Sequence, residues 1–289
     1  MTQTKILLSG ATGNVGTQLV KRLAAMNIPF RALVRNAENI DLLKSLPQAE
    51  VIIGDMADES TLLPALKGIE KAFLLTNSSE HAEKLQLNFV NAAKQAGVKH
   101  LIKLSQFAAD ENSPVRFLRY HARVENRIKD SGLNYTFLRP NLYMQGLLAF
   151  SDYIKNDGKF YAAVGTAAIS AVDVRDIAAV ACKVLTEDGH ENKIYNITGK
   201  EAITHYQMAD ALAKVLGREI SFIDVSPEQM EGALRAAGFP EWQVGGLLED
   251  YAHYARGEAA TIYNTVNDVT NNTPASFEKF VTDYKVLFN

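Results

Sequence analysis

Apolar positions recur along the first half of the chain with two alternating periods. Short, mostly apolar runs at Lys5–Ser9, Pro29–Val34, Glu50–Ile53, Lys71–Leu75, His100–Leu104 and Tyr135–Leu138 predict strands. Between them, Asn14–Met26, Ile40–Ser45, Ser60–Leu66, His81–Ala96 and Val115–Lys129 carry apolar residues at helical spacing. In the first of these, Val15, Leu19, Val20, Leu23 and Met26 make one stripe. Strands separated by helices in this rhythm predict right-handed crossovers and a parallel sheet. Helices on each side of such a sheet explain why its strands are apolar on both faces. The pattern is that of an α/β protein with a doubly wound parallel sheet.

After Pro140 the rhythm changes. "YAAVGTAAISAVDV" reads as extended chain, "DVRDIAAVACKVL" as a helix and "NKIYNIT" as one more strand. Thr204 with Gln207, and Ser226 with Gln229, are capping boxes that open helices, the second with Pro227 at the first helical position. Trp242, Tyr251 and Tyr254 fall in a further helical region, and Asn267–Pro274 reads as a polar connector before a last amphipathic helix.

Composition narrows the setting. The 289 residues carry 30 Lys plus Arg against 33 Asp plus Glu, a net charge of −3, so no basic footprint points to nucleic acid or an anionic membrane. The single cysteine, Cys182, lies in an apolar helical stretch and reads as a small core residue. One cysteine permits no intramolecular disulfide, which fits a reducing compartment. The chain runs directly into its first strand without a leader pattern, and no apolar stretch approaches the roughly 18 residues that span a bilayer. A cytoplasmic protein is the expectation. The six histidines show no metal-ligand spacing.

The chemistry concentrates in "ILLSGATGNVGTQLV", Ile6 to Val20. Gly10 can take the backbone angles of a tight turn, Gly13 keeps the loop surface bare, and Gly16 lets the helix pack close to the sheet. The helix start then offers unpaired N–H groups to a pyrophosphate, with Thr12, Asn14 and Val15 completing the loop. No Lys-Ser or Lys-Thr follows the last glycine, so this is not the loop of a nucleoside triphosphatase. The second strand ends in "ALVRNAENI", with Arg35 where an NAD-binding protein would place an acid. Arg35 can grip a 2′-phosphate, which predicts NADP(H) in preference to NAD(H). Arg31 is the alternative, less suited by the alternation of the strand.

The Gly-x-x-Gly-x-x-Gly spacing resembles the short-chain dehydrogenase/reductase superfamily. "GATGNVG", "LVR", "GDMAD", "SGLNYTFLRPNLYMQ" and "VDVRDIA" together resemble its atypical NmrA-like group over about residues 4 to 200. The resemblance implies a Rossmann-type core over residues 1–145. It implies a mainly substrate-binding lobe over 146–289, with about 170–200 returning to the core sheet. It also implies adenine contacts from Asp55 and Met56, ribose contacts from Thr76 and Asn77, and nicotinamide-side positions at His121, Pro140 and Tyr143.

The usual Tyr-x-x-x-Lys pair of that superfamily is missing. None of the eleven tyrosines has lysine four residues later. The alignment places Phe117 where the tyrosine would stand and His121 where the lysine would. Ser105, His121 and Tyr143 remain as candidate catalytic groups; Asn141 lies beside them, and Asp173 and Asp176 suit structural roles. A positioned general acid is worth roughly 10²–10⁴-fold, so its loss disfavours ketone reduction and nucleotide-sugar epimerases or dehydratases. A quinone, whose reduced form is a weakly basic oxyanion, needs less proton assistance. The reading is an NADPH-dependent oxidoreductase reducing a quinone-like or dye-like acceptor by direct hydride transfer. The alternative within the same group is a non-catalytic NADP(H)-sensing regulator, and a nucleotide-sugar epimerase- or dehydratase-like enzyme is the third reading. The expected partners are a small-molecule hydride acceptor and, at most, a second copy of the chain.

Overall fold

In the computed structural model, which describes residues 4–289, strand and helix alternate through the first half. The order is β1 Ile6–Ser9, α1 Asn14–Ala25, β2 Phe30–Val34, α2 Asp41–Ser45, β3 Ala49–Ile53 and α3 Glu59–Leu66. It continues with β4 Lys71–Leu74, α4 Ala82–Gln95, β5 His100–Leu104, α5 Arg116–Ser131 and β6 Asn134–Pro140. A 3₁₀ turn, Met144–Phe150, leads to α6 Ser151–Asp157, β7 Lys159–Ala162, β8 Ala168–Ile169, α7 Val174–Thr186 and β9 Lys193–Ile197. The rest is β10 Ile203–Thr204, α8 His205–Leu216, β11 Ser221–Asp224, α9 Pro227–Ala236, α10 Glu241–Ala255, α11 Thr265–Thr270 and α12 Phe277–Phe288.

Seven strands form one sheet in the order β3-β2-β1-β4-β5-β6-β9. The pairs from β3 to β6 are all parallel, with Leu7 of β1 opposite Arg31 on one side and Ala72 on the other. The chain steps outward from β1 to β3, then crosses back to lay β4 beside β1. That reversal places a crevice at the carboxyl end of β1, where α/β sheets of this kind bind ligands. Ser9 holds the two strand ends together: its hydroxyl oxygen accepts the Leu75 N–H at 2.8 Å and lies 3.0 Å from the Leu75 carbonyl.

The chain divides into two compact units. Among the described residues, the first comprises 4–112, 118–139 and 177–195, and holds the sheet. Its core joins Leu7, Leu74, Leu101 and Phe137 of the strands to Leu66, Phe89 and Val124 of the helices. Each such side chain contributes about 1.5–3 kcal/mol on burial. The central strands β1 and β5 are buried along their whole length, whereas edge strand β3 leaves Ile53 exposed.

The second unit comprises residues 113–117, 140–176 and 196–289. Two small sheets, parallel β7–β11 and antiparallel β8–β10, pack with α8 and α12 around Phe160, Leu212, Phe222 and Phe280. Both capping boxes form, at Thr204 and Ser226. The expected polar connector at Asn267–Pro274 departs from the prediction, because its first four residues belong to α11. Burial of Val266 and Thr270 holds that turn in place, and Asn271 ends it in the left-handed region.

Candidate functional site

The glycine loop follows β1 directly. Gly10 has a φ of +64°, and a Cβ there would meet Leu75 Cγ at 2.7 Å. At Gly16 a Cβ would lie 2.0 Å from the Gly10 carbonyl oxygen, so helix and loop touch through the bare backbone. Gly13 differs. Its φ of −80° is open to any residue, and a Cβ would find only the Gly10 oxygen, at 3.4 Å. Two of the three glycines are therefore required by the protein's own packing, and the third is not.

Gly13 is also the N-cap of α1, and it offers no side-chain cap. The first turn carries no acid, while Arg22 sits in the last turn. By contrast, α3, α8, α9 and α12 each receive a side-chain cap from Asp58, Thr204, Ser226 or Ser276. Thr12, Gly13 and Asn14 are exposed, whereas the Val15 side chain is buried in the core and leaves only its backbone for a ligand. An uncapped, acid-free helix start with a bare loop in front of it suits a pyrophosphate.

The two arginines of β2 and its exit are now distinguishable. Arg31 is committed: its guanidinium donates to the carbonyls of Ala65 at 2.6 Å and Lys67 at 3.1 Å, and pairs with Glu50 at 2.9 Å. Arg35, one residue beyond β2, is exposed and makes no ion pair or side-chain hydrogen bond among the described residues. Asp55 is exposed and accepts the Ala57 N–H at 2.9 Å, which fixes the turn after β3. Met56 is buried, its carbonyl held by Asn88 at 2.9 Å. After β4, Thr76 accepts from Gln86 at 2.8 Å, and Asn77 is exposed.

The same unit contains a buried polar chain. Lys103, in the middle of β5, is fully buried, and its Nζ lies 2.6 Å from His121 Nδ1 on α5. His121 Nε2 lies 2.8 Å from the Tyr120 hydroxyl, which lies 2.9 Å from Ser78 Oγ after β4. Burial lowers the Lys103 pKa to about 7; Glu125 opposes the fall and Arg139 adds to it. Burial, with Lys103 and Arg139, holds His121 well below its usual value, so its ring is neutral. A protonated Lys103 has no lone pair and must donate to Nδ1. Nε2 then carries the ring proton and donates to Tyr120. Both His121 nitrogens are thus engaged within the unit, and a contact to a ribose would have to replace one of these bonds.

Ser105, at the exit of β5, is equally committed. It donates to Glu125 at 2.5 Å, and Arg139 of β6 grips the same carboxylate with two bonds, at 2.9 and 2.5 Å. This buried triad ties β5, α5 and β6 together. Sequence reading missed Lys103 and Tyr120. The available signal was a lysine inside "HLIKL", next to the apolar Leu101, Ile102 and Leu104 of a strand buried on both faces.

The remaining positions fall in the second unit. Phe117 is buried with its ring 5.2 Å from Trp242, and a Cβ on Gly246 would strike it at 2.2 Å. Asn141 donates to Ser170 and to the Ala259 carbonyl, both at 2.8 Å, which makes it a loop anchor. Asp173 accepts the Arg175 N–H at 2.8 Å and caps α7, while Asp176 accepts the Ala275 N–H. Pro140 ends β6 and is buried; Tyr143 precedes the 3₁₀ turn, and burial pushes its phenol pKa up.

Residues 2–280 match the NmrA-like family. An NAD(P)H azoreductase from Xenophilus azovorans is 33% identical over 98% of this chain and 99% of that protein. The crystal structure of an NADPH-dependent quinone oxidoreductase from Escherichia coli, complexed with NADPH, superposes with a TM-score of 0.88 at 30% identity, covering 98% of this chain and all of that one. A triphenylmethane reductase from Citrobacter sp., complexed with NADP(H), gives 0.85 at 28% identity, covering 96% of this chain and 99% of that one.

Proposed function

The chain belongs to the NmrA-like family, and from that premise we propose that it is an oxidoreductase that binds NADP(H), prefers it to NAD(H), and reduces a quinone-like or dye-like acceptor by direct hydride transfer. The observation that carries the reading is Gly13, a glycine for which the protein has no steric use of its own, set in front of an uncapped helix. When bound, NADPH supplies the hydride.

The first unit's residues divide the work of holding it. Backbone N–H groups at the start of α1 meet the pyrophosphate, and Thr12 and Asn14 flank it. Arg35, with no other claim on its charge, meets the 2′-phosphate. Asp55 and Met56 are placed for the adenine, Thr76 and Asn77 for the ribose. His121, neutral, buried and held by Lys103 and Tyr120, meets the nicotinamide ribose by giving up one of those two bonds.

The alignment with the superfamily puts Phe117, not a tyrosine, at the proton donor's usual position, and the Phe117 ring packs on Trp242. An acceptor whose reduced form is a weakly basic, delocalised oxyanion suits that arrangement, because it takes its proton from water. Related reductases of azo dyes, quinones and triphenylmethane dyes support this class of acceptor. The test is single-turnover reduction of menadione by NADPH dideuterated at the nicotinamide C4. The labelled cofactor should react more slowly; equal rates, with chemistry limiting, would rule out direct transfer.

A further inference from the structure

Among the described residues, Lys103 is a buried charge with no counter-charge of its own. Its register partners on β4 and β6 are Leu74 and Phe137. The charged side chains that face it are Glu125 of α5 and Arg139 of β6. These two pair with each other, and Ser105 donates to the same carboxylate. The amine has two hydrogen bonds, to the Leu104 carbonyl at 3.2 Å and to His121 Nδ1 at 2.6 Å. A methionine or leucine would fill the same place in the strand without burying a charge, so folding gives no reason for an amine here.

Burial brings the Lys103 pKa down to about 7, so the amine holds its proton loosely near neutral pH. A further positive charge nearby drives that proton off, whereas a neutral group in the same place does not. The two redox states of the cofactor differ in this respect: the nicotinamide ring is cationic in NADP⁺ and neutral in NADPH.

We propose that Lys103 sets the preference of the site between NADPH and NADP⁺. The inference rests on the placing of His121 at the nicotinamide ribose. Of its two bonds, His121 gives up the one to Tyr120, because Lys103 is wholly enclosed and Tyr120 keeps Ser78. Lys103 then stands behind the imidazole that meets the ribose. NADPH binds with Lys103 protonated. NADP⁺ brings a second positive charge to that end of the unit. It binds with release of the Lys103 proton, and binds weakly at a pH where the proton is held. The oxidised product is thereby the weaker ligand below neutral pH, which favours its exchange for fresh NADPH.

The test is calorimetric titration of the full chain with NADP⁺ and NADPH from pH 6 to 9, each in two buffers of different ionisation heat, on the wild type and Lys103→Met. The 2′-phosphate titrates alike in both cofactors, so the ratio of their dissociation constants isolates the charge of the ring. In the wild type, NADP⁺ should gain about tenfold on NADPH between pH 6 and 9, and at pH 7 it should release more protons than NADPH does. In Lys103→Met the ratio should stay constant across the series. At pH 6 that variant should bind NADP⁺, relative to NADPH, about tenfold more tightly than the wild type does. A wild-type ratio that does not change with pH would overturn the assignment, and the wild-type series gives that answer even where the variant fails to fold. So would a Lys103→Met ratio that changes as the wild type's does. The expected pattern of binding with no oxidation by menadione would uphold the assignment and remove the reductase reading; binding of neither cofactor would remove both.

Discussion

Lys103 is an amine with no exposed surface, and its titration should be visible in the stability of the whole protein. Its pKa falls from 10.5 in the unfolded chain to about 7 in the native one. Between those values the unfolded chain holds a proton that the native protein has released, so stability rises with pH across the window. The slope from this group reaches at most about 1.4 kcal/mol per pH unit. Denaturant unfolding of the wild type and Lys103→Met, compared from pH 7 to 10, should show the wild type gaining on the variant as pH rises. A constant difference would mean that Lys103 keeps its proton throughout. Arg35 and Arg31 make a second test at this scale. Arg35→Asp should cost about 1.5–3 kcal/mol of NADPH binding, roughly ten- to 150-fold, and leave NADH binding little changed. Arg31→Ala should instead lower stability, because it frees two carbonyls and Glu50. Sequence alone favoured Arg35 by strand alternation; the partners of Arg31 supply the physical reason. Lys103 was not legible in that way, because its partner lies eighteen residues on, and a strand pattern does not say which helical side chain faces it.

At the scale of elements, the glycine turn separates folding from binding within three residues. Gly16→Ala drives a methyl to 2.0 Å from a backbone oxygen and should destabilise the fold by roughly 1–3 kcal/mol through forced backbone shifts. Gly13→Val meets no protein atom closer than 3.4 Å at its Cβ, so it should melt close to the wild type and lose NADPH binding. Melting curves and cofactor titrations of the two variants check this; the same phenotype from both would make the loop a purely structural turn. The elements themselves were largely legible. Five helices and six strands of the first half form within a residue or two of their apolar patterns, because helical and strand spacing there agree with what each element buries. The capping boxes at Thr204 and Ser226 were readable for a similar reason, since each is a local bargain between side chain and backbone. Residues Thr265–Thr270 were not, because two buried contacts override a polar composition.

For the whole molecule, the order of the sheet turns a list of motifs into a site. The glycine loop, the exit of β2 and the exit of β4 are separated in sequence, yet the reversal between β1 and β4 brings three strand ends side by side. The alternation of strand and helix announced such a sheet; which side chains would be consumed by internal bonds, as Ser105 and His121 are, became visible only with the strands in register. A cofactor site with a bare loop and an uncommitted arginine is common to an enzyme and to a cofactor sensor, so turnover is what separates them. The direct measurement is the initial rate of cofactor oxidation with menadione as acceptor, titrated in parallel with NADPH and NADH. The account predicts saturable oxidation of NADPH, with a kcat/KM for NADH lower by about tenfold or more. Tight binding of NADPH with no oxidation, by menadione or by azo and triphenylmethane dyes, would contradict it.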